Sequence, residues 1–142
     1  MVLATLAFVS ALGGCGAGGA RHGGGVPGYV TESFTPQEQR VERGARLIVS
    51  DGCSSCHLQA AGDVAPSFLS FAGHRVALVD GRRVLVDERF LHEGLLHPSA
   101  NEIRGYDPKP MLAAIARAHL ARHPGDVAAL AAFIEQVGPE AE

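Results

Sequence analysis

With 142 residues and a formal net charge of −3, the chain is long enough for one domain and small for two. Hydrophobic residues make up 46% of it and charged residues 19%, which is a globular composition, and the absence of a basic run argues against nucleic acid as a partner. Because aromatic residues account for only 6% and Trp is absent, we expect a thin core of Ala, Val and Leu that a bulky bound group would fill well.

The N-terminal segment, residues 1–15, is predicted to be a targeting signal. Its "VLATLAFVSAL" is an uncharged apolar run that is too short to span a bilayer. The run ends in "LGGC", Leu12 to Cys15, which resembles the lipobox of bacterial lipoproteins, where the cysteine carries the lipid. A plain signal peptide with an incidental Cys15 is the alternative. We therefore expect an exported protein, anchored in a membrane through lipidated Cys15 on the periplasmic or cell-surface side.

The segment that follows, residues 16–34, is rich in Gly and lacks hydrophobic periodicity. Such a composition is typical of a flexible tether. We expect one folded domain over residues 35–138 and a short tail at 139–142.

The first helix of that domain is predicted from its N-terminal signals. Thr35 is a suitable N-cap, Pro36 occupies the first helical position, and Glu38 follows the cap by three residues. The helix is expected to end at about Ser50. Gly44, in its middle, is unfavourable there unless another backbone or ring packs closely against it.

Three further helices are predicted. The last begins at Pro124 and stops at Gly138, and the middle two cover Asp87–His97 and Met111–Ala121. The apolar stripe of the last helix consists of Val127, Leu130, Ala131, Ile134 and Val137.

The segment from Arg75 to Asp87 alternates between apolar and polar residues, with Asp80-Gly81 at its centre. This pattern is typical of a small β-hairpin. The expected fold is thus all-α, with about four helices and a β-hairpin insertion.

Two of the three cysteines lie in "GCSSCHLQ", where Cys53, Cys56 and His57 form a C-x-x-C-H motif. A thioredoxin-like disulfide would need a preceding strand and a βαβ context, whereas a helix is predicted to precede this motif. A structural zinc site would need a second pair of ligands, and the other histidines of the folded part show no tight pair spacing beyond that of the helices in which they lie. Those histidines are His74, His92, His97, His119 and His123. The motif favours one covalently attached haem c, because two thiols one turn apart add to the vinyl groups and the adjacent imidazole reaches the iron.

Met111 is the candidate for the sixth ligand of that iron. Apart from Met1 it is the only methionine, and it follows the rigid "DPKP" run in a predicted Pro-rich loop before a helix. The competing interpretation is a core methionine that fills a gap. His57 and Met111 are therefore the predicted axial ligands.

Together these features resemble a class I cytochrome c. The stretches "APSF" and "VALVDGRRVLVDERFLHEGLLHPSANEIRGY" and the methionine region resemble, more narrowly, the haem c domain fused to subunit II of certain bacterial haem–copper oxidases, over about residues 36–138. The resemblance implies a cytochrome c fold around the haem, a Pro66 carbonyl that accepts the Nδ1 proton of His57, and a contact between Gly44 and Phe133. In place of the usual Met-Pro, this chain has Pro110 before Met111 and Leu112 after it.

The expected function is single-electron transfer by a stand-alone, membrane-tethered monohaem cytochrome that is not itself an enzyme. Its expected partners are redox proteins, such as a terminal oxidase, another high-potential acceptor or a quinol-oxidising complex. Arg104 and Tyr106 are candidate partners of a haem propionate, although an exposed Arg and a core Tyr are alternatives. A haem enzyme or gas sensor with an open or displaceable sixth ligand is the alternative function, and bis-His ligation is also conceivable.

Overall fold

The computed structural model describes residues 34–58 and 64–138, which belong to one compact unit. The α-helices of this part are α1 (Pro36–Ser50), α2 (Ser54–His57), α3 (Glu88–Leu96), α4 (Lys109–Ala118) and α5 (Pro124–Val137). Its strands are β1 (Arg75–Ala77) and β2 (Arg83–Leu85), and short 3₁₀ turns cover Phe68–Ser70 and Leu120–Arg122. The described chain is therefore mainly helical with one small antiparallel hairpin, as predicted. The predicted signal segment with Cys15, the tether up to residue 33 and the tail lie outside the described residues.

Helix α1 begins as the sequence predicts. The Thr35 hydroxyl accepts a hydrogen bond from the Glu38 backbone N–H at 3.2 Å, and the Glu38 carboxylate accepts one from the Thr35 N–H at 2.6 Å. These reciprocal bonds form a capping box, which satisfies two N–H groups that have no partner within the helix. The helix therefore has a defined start, and it ends at Ser50, directly before the cysteine motif.

Helices α1 and α5 cross at Gly44. A Cβ atom on Gly44 would lie 2.1 Å from the Ala129 carbonyl oxygen and 2.7 Å from Cβ of Phe133. The predicted contact between Gly44 and Phe133 is thus confirmed, and only glycine allows the two backbones to approach this closely. At the flank of the crossing, Arg43 Nε donates a hydrogen bond to Asp126 at 2.7 Å.

The hydrophobic core lies between α1, α3, α5 and the segments that connect them. Its largest fully buried side chains are Ile48, Leu78, Leu130, Ile134, Val86 and Val127. Of the apolar stripe predicted for α5, all members are buried except Val137, which is partly buried and packs against the core. Burial of these side chains is the main favourable contribution to folding.

The hairpin forms where the sequence predicts it. Val76 of β1 lies opposite Val84 of β2 in an antiparallel register. The turn contains Gly81 at φ +91°, a conformation that side chains other than glycine rarely adopt. The Asp80 carboxylate accepts the backbone N–H of Arg82 at 2.9 Å, which stabilises the turn.

Helix α4 differs from the prediction of a helix over Met111–Ala121. It begins at Lys109, so that Pro110 and Met111 lie in its first turn, where a proline is tolerated because its missing N–H would have no helical partner anyway. Met111 therefore lies inside the helix, as the predicted bounds Met111–Ala121 imply, and not in the Pro-rich loop before it. The helix also ends early, because His119 adopts a left-handed conformation at φ 53° and a 3₁₀ turn follows. Within the described residues, no helix combines the length and the apolar character needed to cross a membrane.

Candidate covalent cofactor site

The C-x-x-C-H motif occupies a sharp turn and the short helix that follows α1. Gly52 adopts φ +77°, and this left-handed residue ends α1 and redirects the chain into α2. Cys53 precedes α2 and Cys56 lies within it, so that the two thiols are spaced three residues apart on about one helical turn. Both thiols are free and partly exposed.

The imidazole of His57 is held by a backbone carbonyl on the other side of the motif. Its Nδ1 lies 2.8 Å from the carbonyl oxygen of Pro66, which is the contact that the resemblance implies. Because a carbonyl oxygen only accepts, Nδ1 carries the proton. Burial lowers the pKa of His57, and the bond to Pro66 opposes this only in part, so that the neutral ring is favoured. A neutral ring protonated at Nδ1 leaves the lone pair of Nε2 available to a metal.

Phe68 contacts the same imidazole from its face. The two ring centroids are 4.2 Å apart and the ring planes differ by 1°, which is a parallel stack. Phe68 is only 4% exposed and belongs to the core. No role was predicted for Phe68. The available signals were its place at the end of the "APSF" stretch and its position two residues after the proline whose carbonyl bonds to Nδ1.

A cavity of about 350 Å³ lies next to the C-x-x-C-H motif and Phe68. Cys53 and Cys56 of the motif line it, together with His57 and with Met111 from the first turn of α4. Its walls are mainly apolar and include Phe68, Phe71, Phe90, Leu91, Leu95, Ile103, Leu130 and Ile134. The structure thus brings the four predicted haem-binding side chains to one cavity, although Met111 is remote from the motif in sequence.

The two residues proposed to contact a propionate are placed differently. Tyr106 is partly buried and lines the cavity, as does Pro66. Arg104 is exposed and is not among the residues that line it; its backbone N–H instead bonds to the Ala77 carbonyl at 2.8 Å, beside the hairpin. The cation that does line the cavity is Arg117, near the end of α4. It lies six residues after Met111, about 120° away around the helix, so that no same-face spacing in the sequence indicated it.

The thiol of Cys53 is affected by its surroundings. Burial and, secondarily, the charge of Asp51 raise the pKa of Cys53, because both disfavour the thiolate. Cys53 is therefore a protonated, weakly reactive thiol in this structure. Such a thiol is unlike the low-pKa nucleophile of a redox-active cysteine pair.

A bare metal site is not apparent in the described part of the chain. Over residues 34–58 and 64–138, no group of three or more His, Cys, Asp or Glu side chains is arranged to hold a metal ion. Two thiols, a neutral imidazole and a thioether around a largely apolar cavity are instead suitable donors for a large, metal-bearing organic cofactor.

Comparison with known proteins does not assign this chain to a family. Compared with the models of known protein families, the chain matches none, and no curated protein matches it significantly.

Proposed function

We propose that this chain is a monohaem c-type cytochrome with a cytochrome c fold, which carries single electrons. The observation that carries the proposal is that Cys53, Cys56, His57 and Met111 all line one apolar cavity. These are two thiols that can form thioethers and two side chains that can bind haem iron as a histidine–methionine pair. If Met111 only filled the core, or if the two cysteines only formed a redox pair, there would be no reason for all four residues to line the same cavity.

Each residue has a separate role in holding the group. Cys53 and Cys56 attach it covalently, on a helical turn that directly follows the well-capped helix α1. His57 offers Nε2 to the iron, because the Pro66 carbonyl fixes the proton on Nδ1. Met111 supplies a thioether from the first turn of α4. The aromatic and aliphatic walls keep water away from the group.

The haem, when bound, supplies a reversible one-electron couple of its iron. A thioether ligand favours the ferrous state and so raises the reduction potential. The exposed Gly52 and Ser55, next to the two thiols, lie on the side of the cavity from which an electron can pass to a partner. The protein does not need to bind a substrate at the iron for this function.

The location and the partners follow from the N-terminal segment and the proposed potential. We propose that lipidated Cys15 anchors the protein outside the cytoplasm and that it delivers electrons to an oxidase or another high-potential acceptor. A quinol-oxidising complex is the corresponding donor. The contact with either partner would belong to the small, short-lived class of redox interfaces.

The covalent attachment can be tested directly. The full chain is produced in a host with haem-attachment machinery, denatured, and extracted with acidified acetone. Haem should remain with the wild-type polypeptide and should be extracted from the Cys53→Ala, Cys56→Ala double variant, because only a thioether survives denaturation. If the wild-type chain releases all of its haem, or never acquires any, the proposed function is wrong.

A further inference from the structure

The plane of the His57 imidazole has two constraints in this structure, and they come from one short segment. The first is the hydrogen bond from Nδ1 to the Pro66 carbonyl. Such a bond leaves the ring some freedom to tilt, because carbonyl oxygens accept over a broad range of directions and the χ2 torsion of histidine has broad minima. The second constraint is the parallel stack on Phe68, which opposes that tilt directly.

Phe68 is itself well fixed. It is 4% exposed, belongs to the core cluster and begins the 3₁₀ turn Phe68–Ser70. The Ser67 hydroxyl accepts a hydrogen bond from the Leu69 N–H at the start of this turn, which stabilises the local backbone conformation. Pro66 and Phe68 are only two residues apart, so that one short segment provides both the hydrogen bond and the ring contact that restrain the imidazole.

We propose that Phe68 is a positioning residue that sets the orientation of the His57 ring plane, and with it the electronic state of the iron that His57 binds. This inference rests on the proposed function. In a haem held by a histidine–methionine pair, the plane of the imidazole contributes to the energy difference between the two ferric dπ orbitals. Its orientation is therefore measurable in the electron paramagnetic resonance g values and in the spread of the haem methyl proton shifts.

A purely space-filling role is the competing explanation, and the chain offers a matched control for it. Phe71 is also buried, at 8% exposure, and lines the same cavity. Its ring contacts Phe90 edge-on, with centroids 6.3 Å apart and planes at 67°. A change of Phe71 to Leu therefore removes the same atoms from the same core without removing the ring stacked on His57.

The experiment compares haem-loaded wild-type protein with Phe68→Leu, Phe71→Leu and the ring-preserving Phe68→Tyr. Haem content is measured first, and wild-type protein without covalent haem would overturn the proposed function and this inference together. The ferric g values, the methyl shifts and the thermal unfolding midpoint follow. We expect both Leu variants to unfold at lower temperature, but only Phe68→Leu to change the g values and the methyl shift pattern. Phe68→Tyr should keep the wild-type pattern.

Two results would overturn the inference while leaving the proposed function intact. In one, Phe68→Leu is loaded with haem and has wild-type g values and methyl shifts. In the other, Phe71→Leu changes both signatures as much as Phe68→Leu does. Either would mean that Phe68 is only one of several residues that fill the core.

Discussion

Replacing Gly44 by Ala should destabilise the protein by loosening the crossing of α1 and α5. The new Cβ would lie 2.1 Å from the Ala129 carbonyl oxygen, whereas an ordinary contact needs at least 3.4 Å. The clashing atoms are the backbone oxygen and carbon of Ala129 and Cβ of Phe133, none of which can rotate away. The helices must therefore separate by about 1 Å, which weakens the contacts around the crossing.

The magnitude follows from two opposing effects. Overpacking in a well-packed core typically costs about 1–3 kcal/mol, and this case belongs at the upper end because the neighbours are rigid. Ala is better than Gly in a helix by about 1 kcal/mol. The expected net loss is about 2 kcal/mol, which corresponds to a fall in Tm of about 10 °C for a domain of this size.

Thermal and urea unfolding of the haem-loaded protein would measure this loss. The control is Gly125→Ala in α5, where a Cβ would meet nothing within 4 Å, and which should leave the stability unchanged or slightly higher. A Gly44→Ala variant as stable as wild type would refute the reasoning, since the helices would then have to absorb the methyl group without losing contacts. An equal loss in Gly125→Ala would refute it as well.

The remaining predictions concern the sixth ligand and one carboxyl group. Met111→Ala should abolish the weak far-red charge-transfer band of a ferric methionine–iron bond and allow carbon monoxide to bind, whereas Leu112→Ala, which changes an exposed neighbour outside the cavity lining, should do neither. Met111→His should keep the iron six-coordinate and lower its potential; wild-type protein that binds carbon monoxide rapidly and lacks the band would instead favour an enzyme or sensor. Burial, followed by the charges of Glu88 and Asp87, raises the pKa of Glu135 above its usual 4.5. Because the folded protein disfavours the ionised carboxylate, folding stability is lost as the pH rises from about 4.5 through this raised pKa. Glu135→Gln should therefore raise the unfolding midpoint at pH 7 but not at about pH 4, and an equal effect at both values would contradict the assigned cause.

Local signals in the sequence were sufficient for much of the fold. The capping box at Thr35, the hairpin around Gly81 and the apolar stripe of α5 depend on neighbouring residues, and all three are present. Gly44 was also interpretable, because a glycine in the middle of a helix needs a close neighbour to explain it.

The contacts that complete the candidate site were harder to predict. The "DPKP" run is compatible both with a loop and with the first turn of a helix, because proline is tolerated at either place. The start of α4 was therefore predicted two residues too late, although Met111 does lie in the helix and does line the cavity. The stack of Phe68 on His57 and the exposure of Arg104 depend on how distant segments meet, which no local pattern records.

The crossing of α1 and α5 also determines the order in which the chain can acquire its structure. Helix α1 packs mainly on α5, which is the last helix of the described chain to be synthesised. Until α5 is present, α1 lacks the helix on which it mainly packs, and closing the long intervening loop carries an entropic cost. The segment Cys53–His57, directly after α1, therefore stays accessible on the incomplete chain. Under the proposed function, this topology would give an attachment enzyme access to both cysteines before the last helix packs on α1.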